Sequence, residues 1–135
     1  MTYNRPNDVY WIFDSEDRLL YIGMGRSAIE RVSTHEALRC QSAVSNELCH
    51  RAVRIEYRTF NTPAEAHAVE RYAIETEAPY LNRQHNPKRF RKVQRGGYVP
   101  VGSLPLLPPW IDEERKRGYT PNLLSRLTVG MRGAA

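Results

Sequence analysis

Two dense runs of aromatic and β-branched residues, Val9-Tyr-Trp-Ile-Phe13 and Leu19-Leu-Tyr-Ile-Gly23, are separated only by the polar stretch Asp14-Ser-Glu-Asp-Arg18. Residues of these types suit a pleated, half-buried surface, and so short a polar link predicts that the two strands form a hairpin. Everything that follows must pack on that hairpin. Ser27-Ala-Ile-Glu30 has the form of a capping box, with serine at the N-cap and glutamate three residues on, which predicts a helix running to about Arg39. Residues 51–60 alternate, Val53, Ile55 and Tyr57 on one face and Arg54, Glu56 and Arg58 on the other, as in a half-buried strand. Thr62-Pro-Ala-Glu65 then combines a second capping box with proline at the first helical position, and that helix continues to near Glu77 before Ala78-Pro79. Residues 41–50 fit either a turn or a short helix.

The order strand, strand, helix, strand, helix predicts an α/β domain of the α+β kind, a small antiparallel three-stranded sheet flanked by helices, over residues 8–86. At 135 residues the chain has room for one such domain and an appendage. Residues 87–135 form that appendage, a basic, Pro/Gly-rich C-terminal extension. Gly96-Gly97, Pro100, Pro105 and Pro108-Pro109 punctuate it, and short helices are expected near 111–117 and 122–127. Its apolar strip Val99 to Trp110 must lie along the domain or bind a protein partner.

The chain is 41% hydrophobic and 26% charged, a composition able to bury a core. Its apolar stretches are too short for a membrane-spanning helix, and its polar start is unlike a secretory signal. Cys40 and Cys49 lack the paired spacing of a zinc site and read as ordinary thiols of a reducing cytoplasm. The net charge of +5 conceals an asymmetry: residues 1–82 carry 9 Lys+Arg against 12 Asp+Glu, residues 83–135 carry 11 against 3. Arg83, Lys88, Arg89, Arg91, Lys92 and Arg95 follow one another with no acidic residue among them. Such a cluster either neutralises phosphates and releases their counterions or is a solvated basic tail.

Asp8-Val9-Tyr10 on the first strand and Tyr21-Ile22-Gly23 on the second resemble the paired signatures of the GIY-YIG nucleases, with aspartate in place of the first glycine. Arg31 ten residues after Tyr21, His35 four further on, Glu70 on the long helix and Asn82 twelve beyond it match the family's pattern in type, order and approximate spacing. Taken singly, each residue has an ordinary reading as strand packing, helix-surface charge or helix-exit residue. Six independent surface residues have no reason to reproduce one set of spacings. The resemblance spans about Asp8 to Arg83, and it implies an endonuclease that hydrolyses phosphodiesters in duplex or branched DNA with one divalent ion, Mg²⁺ or Mn²⁺. Intron homing enzymes, the incision subunit of nucleotide excision repair, junction nucleases and certain restriction enzymes belong to this family and share no common substrate. The compact size would suit a phage or other mobile element.

By that resemblance Glu70 holds the metal, a task suited to a hard oxygen donor. Arg31 offers its planar fork to phosphate oxygens, and it shares a helix face with His35 at i, i+4. One of Tyr10 and Tyr21 is the general base on water, with Tyr10 the first choice. The two rings share a sheet face only if the hairpin register allows. A free phenol has a pKa of about 10, so arginine and metal must favour the phenolate. His35 accepts or relays the proton or is itself the base, and Asn82 supports the site. Arg26, in the loop after the second signature, joins the basic cluster as a candidate nucleic-acid contact. The alternative is an accessory or non-catalytic nucleic-acid-binding module on the same fold. No helix-turn-helix or zinc finger that would choose a DNA site is legible.

Overall fold

The first two strands, β1 (Asn7–Asp14) and β2 (Leu19–Gly25), pair antiparallel as the hairpin predicts. Asp14 makes the turn: its carboxylate accepts from the backbone N–H of Glu16 and of Arg18, both at 2.9 Å, and pairs with the Arg18 guanidinium at 2.7 Å. The register steps from Ile12 opposite Tyr21 to Phe13 opposite Leu19, so Leu20 is a bulged residue. The bulge lets Leu20 join Tyr10 and Ile12 in one core, although strict alternation would send it to the other face from Tyr21.

Helix α1 (Ala28–Ala37) starts at Ser27, whose hydroxyl accepts from Glu30 N–H at 3.3 Å, and stops two residues short of the expected Arg39. The undecided stretch 41–50 forms α2 (Ala43–Arg51), capped by Ser42. Strand β3 (Ala52–Phe60) pairs antiparallel with the other edge of β1, placing Tyr57 opposite Tyr10 and Ile55 opposite Ile12. Helix α3 (Pro63–Glu77) begins at the Thr62 cap with proline in its first turn and ends at Ala78 in the left-handed region.

The structure, a computed structural model, describes residues 5–101, 119 and 121–133. Within the expected irregular extension it contains a small hairpin, β4 (Phe90–Lys92) with β5 (Tyr98–Pro100), then α4 (Leu123–Arg126) and β6 (Thr128–Met131). Strand β6 lies parallel to β3, which corrects the expected sheet: it is four-stranded and mixed, in the order β2-β1-β3-β6. All four β6 residues are exposed, so the strand is held by backbone pairing and carries no apolar alternation to read. The helix expected at 111–117, and the apolar strip beyond Val101, lie outside the described residues. The α+β class itself stands.

Helices cover both faces of the sheet. On one, Tyr10, Ile12, Leu20 and Ile55 pack with Val32 of α1, Leu48 of α2 and Leu123 of α4. On the other, Val9, Trp11 and Ile22 pack with Ala66, Ala73 and Ile74 of α3. Full burial of such aliphatic side chains contributes about 1.5–3 kcal/mol each, which pins the central strand between the layers. The C-terminal segment is tied in by polar contacts as well. Glu36 of α1 accepts from the Tyr119 hydroxyl and, at 2.7 Å, from Leu123 N–H. Arg132 stacks over Trp11 at 4.4 Å and pairs with Glu77 at 3.1 Å, while Glu77 also accepts from the Trp11 indole. No helix among the described residues is long and apolar enough to cross a membrane.

Candidate active site

Tyr10 stands opposite Gly23, and Tyr21 stands opposite Ile12, two positions along. The register therefore gives both tyrosines one sheet face as diagonal neighbours, with ring centroids 6.3 Å apart. Gly23 makes this possible. A Cβ at that position would lie 2.3 Å from Tyr10 Oη and 2.9 Å from Tyr21 Cε2, closer than van der Waals contact permits. The last residue of the second signature is thus the space into which the first tyrosine's ring fits.

Helix α1 brings Arg31 and His35 over the same face. Its N-terminus is pinned to the sheet by Asp8, whose carboxylate accepts from Ala28 N–H at 2.8 Å and from the Thr59 hydroxyl at 2.6 Å. An acceptor there satisfies an otherwise orphaned helix N–H, so the aspartate that departs from the family glycine has work of its own. His35 Nε2 lies 2.9 Å from Tyr10 Oη, and its ring edge meets Tyr21 at 5.4 Å between centroids. Its other nitrogen, Nδ1, lies 3.0 Å from the hydroxyl of Ser45 on α2. The Arg31 stem crosses Gly25, where a Cβ would come within 2.6 Å of its Cγ. Arg31 Nε is buried with no hydrogen-bond partner.

Asn82 acts on the backbone. Its amide donates to Ile22 O at 2.8 Å and accepts from Ile22 N–H at 2.9 Å, clasping β2 between Tyr21 and Gly23. Leu81 N–H adds a bond to Leu20 O. The chain beyond α3 thus covers the free edge of β2 and closes one side of a cleft of about 300 Å³, lined by Tyr21, His67, Glu70, Asn82, Arg83 and His85 among others. Glu70 is mostly buried, its side chain 18% exposed, with His67 Nδ1 at 3.8 Å.

Burial pushes Tyr10 far above the ordinary phenol value, with the Tyr21 charge adding to it and Arg31 opposing. Tyr21 is raised by burial and then by Glu70, again opposed by Arg31. Glu70 is raised by burial, opposed by His67 and Arg31. His35 is lowered to about 4 by burial and by the Arg31 charge.

Residues 6–83 match the model of the UvrC-like GIY-YIG domain, well over half of the chain. The chain belongs to that family. The GIY-YIG match marks a nuclease-type module that acts on nucleic acid, and the matched span contains all six residues of the constellation, Tyr10, Tyr21, Arg31, His35, Glu70 and Asn82. It ends before the basic hairpin.

The basic residues divide by environment. Arg26, Arg83, Arg91, Lys92 and Arg95 are exposed. Arg83 lines the cleft and also lies 5.9 Å from the Phe90 ring centre. Lys88, also exposed, and the half-buried Arg89 are tied to the end of α3: Lys88 donates to Thr76 O at 3.2 Å, while Arg89 donates to Ala78 O and stacks over Tyr80 at 3.8 Å. Sequence reasoning passed over Ser45, His67 and His85, and it read Gly23 only as part of a signature. The signature glycine offered a signal that a close approach was required. Nothing in the spacing links Ser45 to His35, because the two meet only through the packing of α1 on α2.

The buried neutral His35 makes the GIY-YIG domain acid-sensitive. In the unfolded chain its imidazole gains a proton as pH falls through about 6.5, and in the fold only near 4. Between those values the unfolded state binds more protons, so stability falls as pH drops, by up to about 3 kcal/mol from this residue. Denaturant unfolding of wild type and His35→Gln at pH 7 and pH 4.5 reads the effect as an excess acid loss in the wild type. Equal acid losses in the two proteins would contradict a buried, neutral His35.

Proposed function

We propose that this GIY-YIG domain is a divalent-metal-dependent DNA endonuclease that hydrolyses phosphodiesters. The observation that carries the reading is a convergence: Tyr21, Glu70 and Asn82 share an open cleft, and the buried, unpartnered Arg31 Nε belongs to the group that biases the titration of Tyr21 and Glu70. A buried donor without an acceptor is costly, and a phosphate oxygen would satisfy it with a charge-assisted bond.

Of the two tyrosines, Tyr10 has no exposed surface and is bonded to His35, whereas Tyr21 is partly buried and lines the cleft. The base role accordingly moves from Tyr10, the first choice by sequence, to Tyr21. Glu70 and burial both hold its proton on, while Arg31 favours the phenolate. Neutralising the Glu70 charge removes one of the two effects that keep Tyr21 protonated. The donor set fits one Mg²⁺ or Mn²⁺: among the described residues no three His, Cys, Asp or Glu cluster, and a single carboxylate with open volume beside it suits an ion that keeps most of its waters. When bound on Glu70 such an ion supplies Lewis-acid stabilisation of the charge that develops at phosphorus and on the leaving oxygen. Arg31 would clamp the non-bridging oxygens, and Asn82 keeps β2 and its tyrosine in place.

Incubating the protein with supercoiled, linear, flap and four-way-junction DNA, first with Mg²⁺ and then with chelator, tests the proposal. Chelator-sensitive cleavage of at least one substrate is expected. Failure to cut any of them in Mg²⁺ or in Mn²⁺ would leave only the accessory reading.

The exposed cations of the β4–β5 hairpin, Arg91, Lys92 and Arg95, are proposed to bind phosphate, together with Arg26 and with Arg83, which lines the cleft. Changing the three hairpin residues to alanine should weaken binding alike for all sequences. It should also flatten the plot of log affinity against log salt by up to about 2.7, at about 0.9 for each phosphate no longer neutralised. An unchanged slope in a filter-binding titration would show that the hairpin does not touch phosphate.

A further inference from the structure

His35 is held at both ring nitrogens, and only one of its two partners belongs to the constellation legible in the sequence. The other is Ser45, 2% exposed, in the first turn of α2, with its hydroxyl 3.0 Å from Nδ1. The bond crosses from one helix to the next and lies wholly within the core. Which way it points decides the character of the whole group, because a neutral imidazole carries one N–H and one lone pair.

Tyr10 sets the direction. Its hydroxyl is buried, and among the described residues its hydrogen-bond partner is His35 Nε2, so the phenol proton must go there. The two atoms lie 2.9 Å apart, and Nε2 must present its lone pair. The imidazole proton is left on Nδ1 and is donated to Ser45 Oγ. The chain therefore runs Tyr10 to His35 to Ser45, each group donating to the next. Reversing it would put a proton on Nε2 facing Tyr10, and the phenol would then have to accept it while its own proton found no acceptor in a buried site.

We propose that Ser45 is a positioning residue of the active site: it receives the Nδ1 proton of His35, fixes that tautomer, and so holds the imidazole against Tyr10 and the ring of Tyr21. Ser45 is buried and does not line the cleft. It acts through His35, whose ring edge meets Tyr21, the tyrosine assigned to the water. Charge supports the same arrangement, since a protonated imidazole would bring a second cation against Arg31 and remove the acceptor for Tyr10. An outer partner of this sort is what commonly sets the tautomer of a functional histidine, and losing one typically lowers activity by about 10–100-fold where metal ligands are concerned.

The functional half of this inference rests on the nuclease reading, and the tautomer half does not. The two are separated by measuring the ¹⁵N chemical shifts and N–H couplings of the His35 ring in the full chain, which need no cleavage. The wild type is expected to show a single tautomer with the proton on Nδ1 at pH 7. Ser45→Ala, which removes one hydroxyl and keeps a good helix former, should populate the Nε2–H form. It should also cut DNA about tenfold more slowly in Mg²⁺, with the affinity for DNA in chelator little changed. A wild-type ring protonated on Nε2 would overturn the proposal. So would a Ser45→Ala protein that keeps both the single Nδ1–H tautomer and the wild-type cleavage rate. If no substrate is cut by either protein, the nuclease reading fails, and the ring measurement still decides what Ser45 does to His35.

Discussion

Gly23→Ala should destabilise the domain by about 2–6 kcal/mol and abolish cleavage, although it adds a single methyl group. The new Cβ would sit 2.3 Å from Tyr10 Oη and 2.4 Å from Cζ, with Tyr21 Cε2 at 2.9 Å on the other side. The Tyr10 ring cannot swing away cheaply, because it has no exposed surface and its hydroxyl is bonded to buried His35. Overpacking of a filled core costs about 1–3 kcal/mol, and breaking a buried hydrogen bond about 1–3 kcal/mol more. Urea unfolding gives the loss directly. A double-mutant cycle with Tyr10→Phe locates its cause: the clash falls on the hydroxyl as well as on Cζ, so the second change should recover part of the first, a departure from additivity expected of groups in contact. If Gly23→Ala unfolds within 0.5 kcal/mol of wild type (about the spread of an inconsequential substitution), the close approach is not present in solution.

Glu70→Gln is expected to lower Mg²⁺-dependent cleavage by at least about a hundredfold, the scale of removing one electrostatic stabiliser of the transition state, while leaving the fold and DNA affinity in chelator intact. The substitution keeps shape and removes charge. Little in the apo fold depends on that charge: its closest ion pair is with His67 at 3.8 Å, and burial already raises the carboxyl's pKa. The folded protein should thus be unchanged or slightly more stable, which separates a lost metal ligand from a lost fold. Cleavage kinetics over a range of Mg²⁺ check it. Turnover at the wild-type rate would remove Glu70 from the metal, and with it the mechanism proposed for Tyr21.

The parts of this fold that were legible are those written in local physics. The hairpin, the Ser27 and Thr62 caps and the extent of β3 depend on residues within a few positions of one another, and each appears in the structure within a residue or two of its expected place. The alternation of β3, by contrast, breaks at Val53, which falls at a register shift and is exposed. Helix α2 was undecidable because its Ser42 cap and two-turn length compete equally with a turn. Strand β6 was illegible for a different reason: four exposed residues signal nothing by themselves, and the strand exists because β3 offers an unpaired edge and Arg132 is anchored by Trp11 and Glu77. The β4–β5 hairpin is similar. Asn86, buried and donating to Pro79 O and Asn82 O, accepts at its own carbonyl from Arg89 and Phe90 N–H and so sets where it starts.

For the site, the order and spacing of Tyr10, Tyr21, Arg31, His35, Glu70 and Asn82 were in the sequence, and they sufficed to identify the family, because a motif is a statement about residue types along a chain. Which of these groups meets solvent is a statement about packing. Only the tertiary structure buries Tyr10 behind His35 and leaves Tyr21 on the cleft, ties Lys88 and Arg89 to the end of α3, and brings Ser45 to His35 across two helices. The hairpin that opens the chain shows both halves of the matter. Its two apolar runs determined that a sheet would form and that two tyrosines would stand on it, whereas the bulge at Leu20 and the space at Gly23, set by close packing between helices, decided how those tyrosines face one another and which of them water can reach.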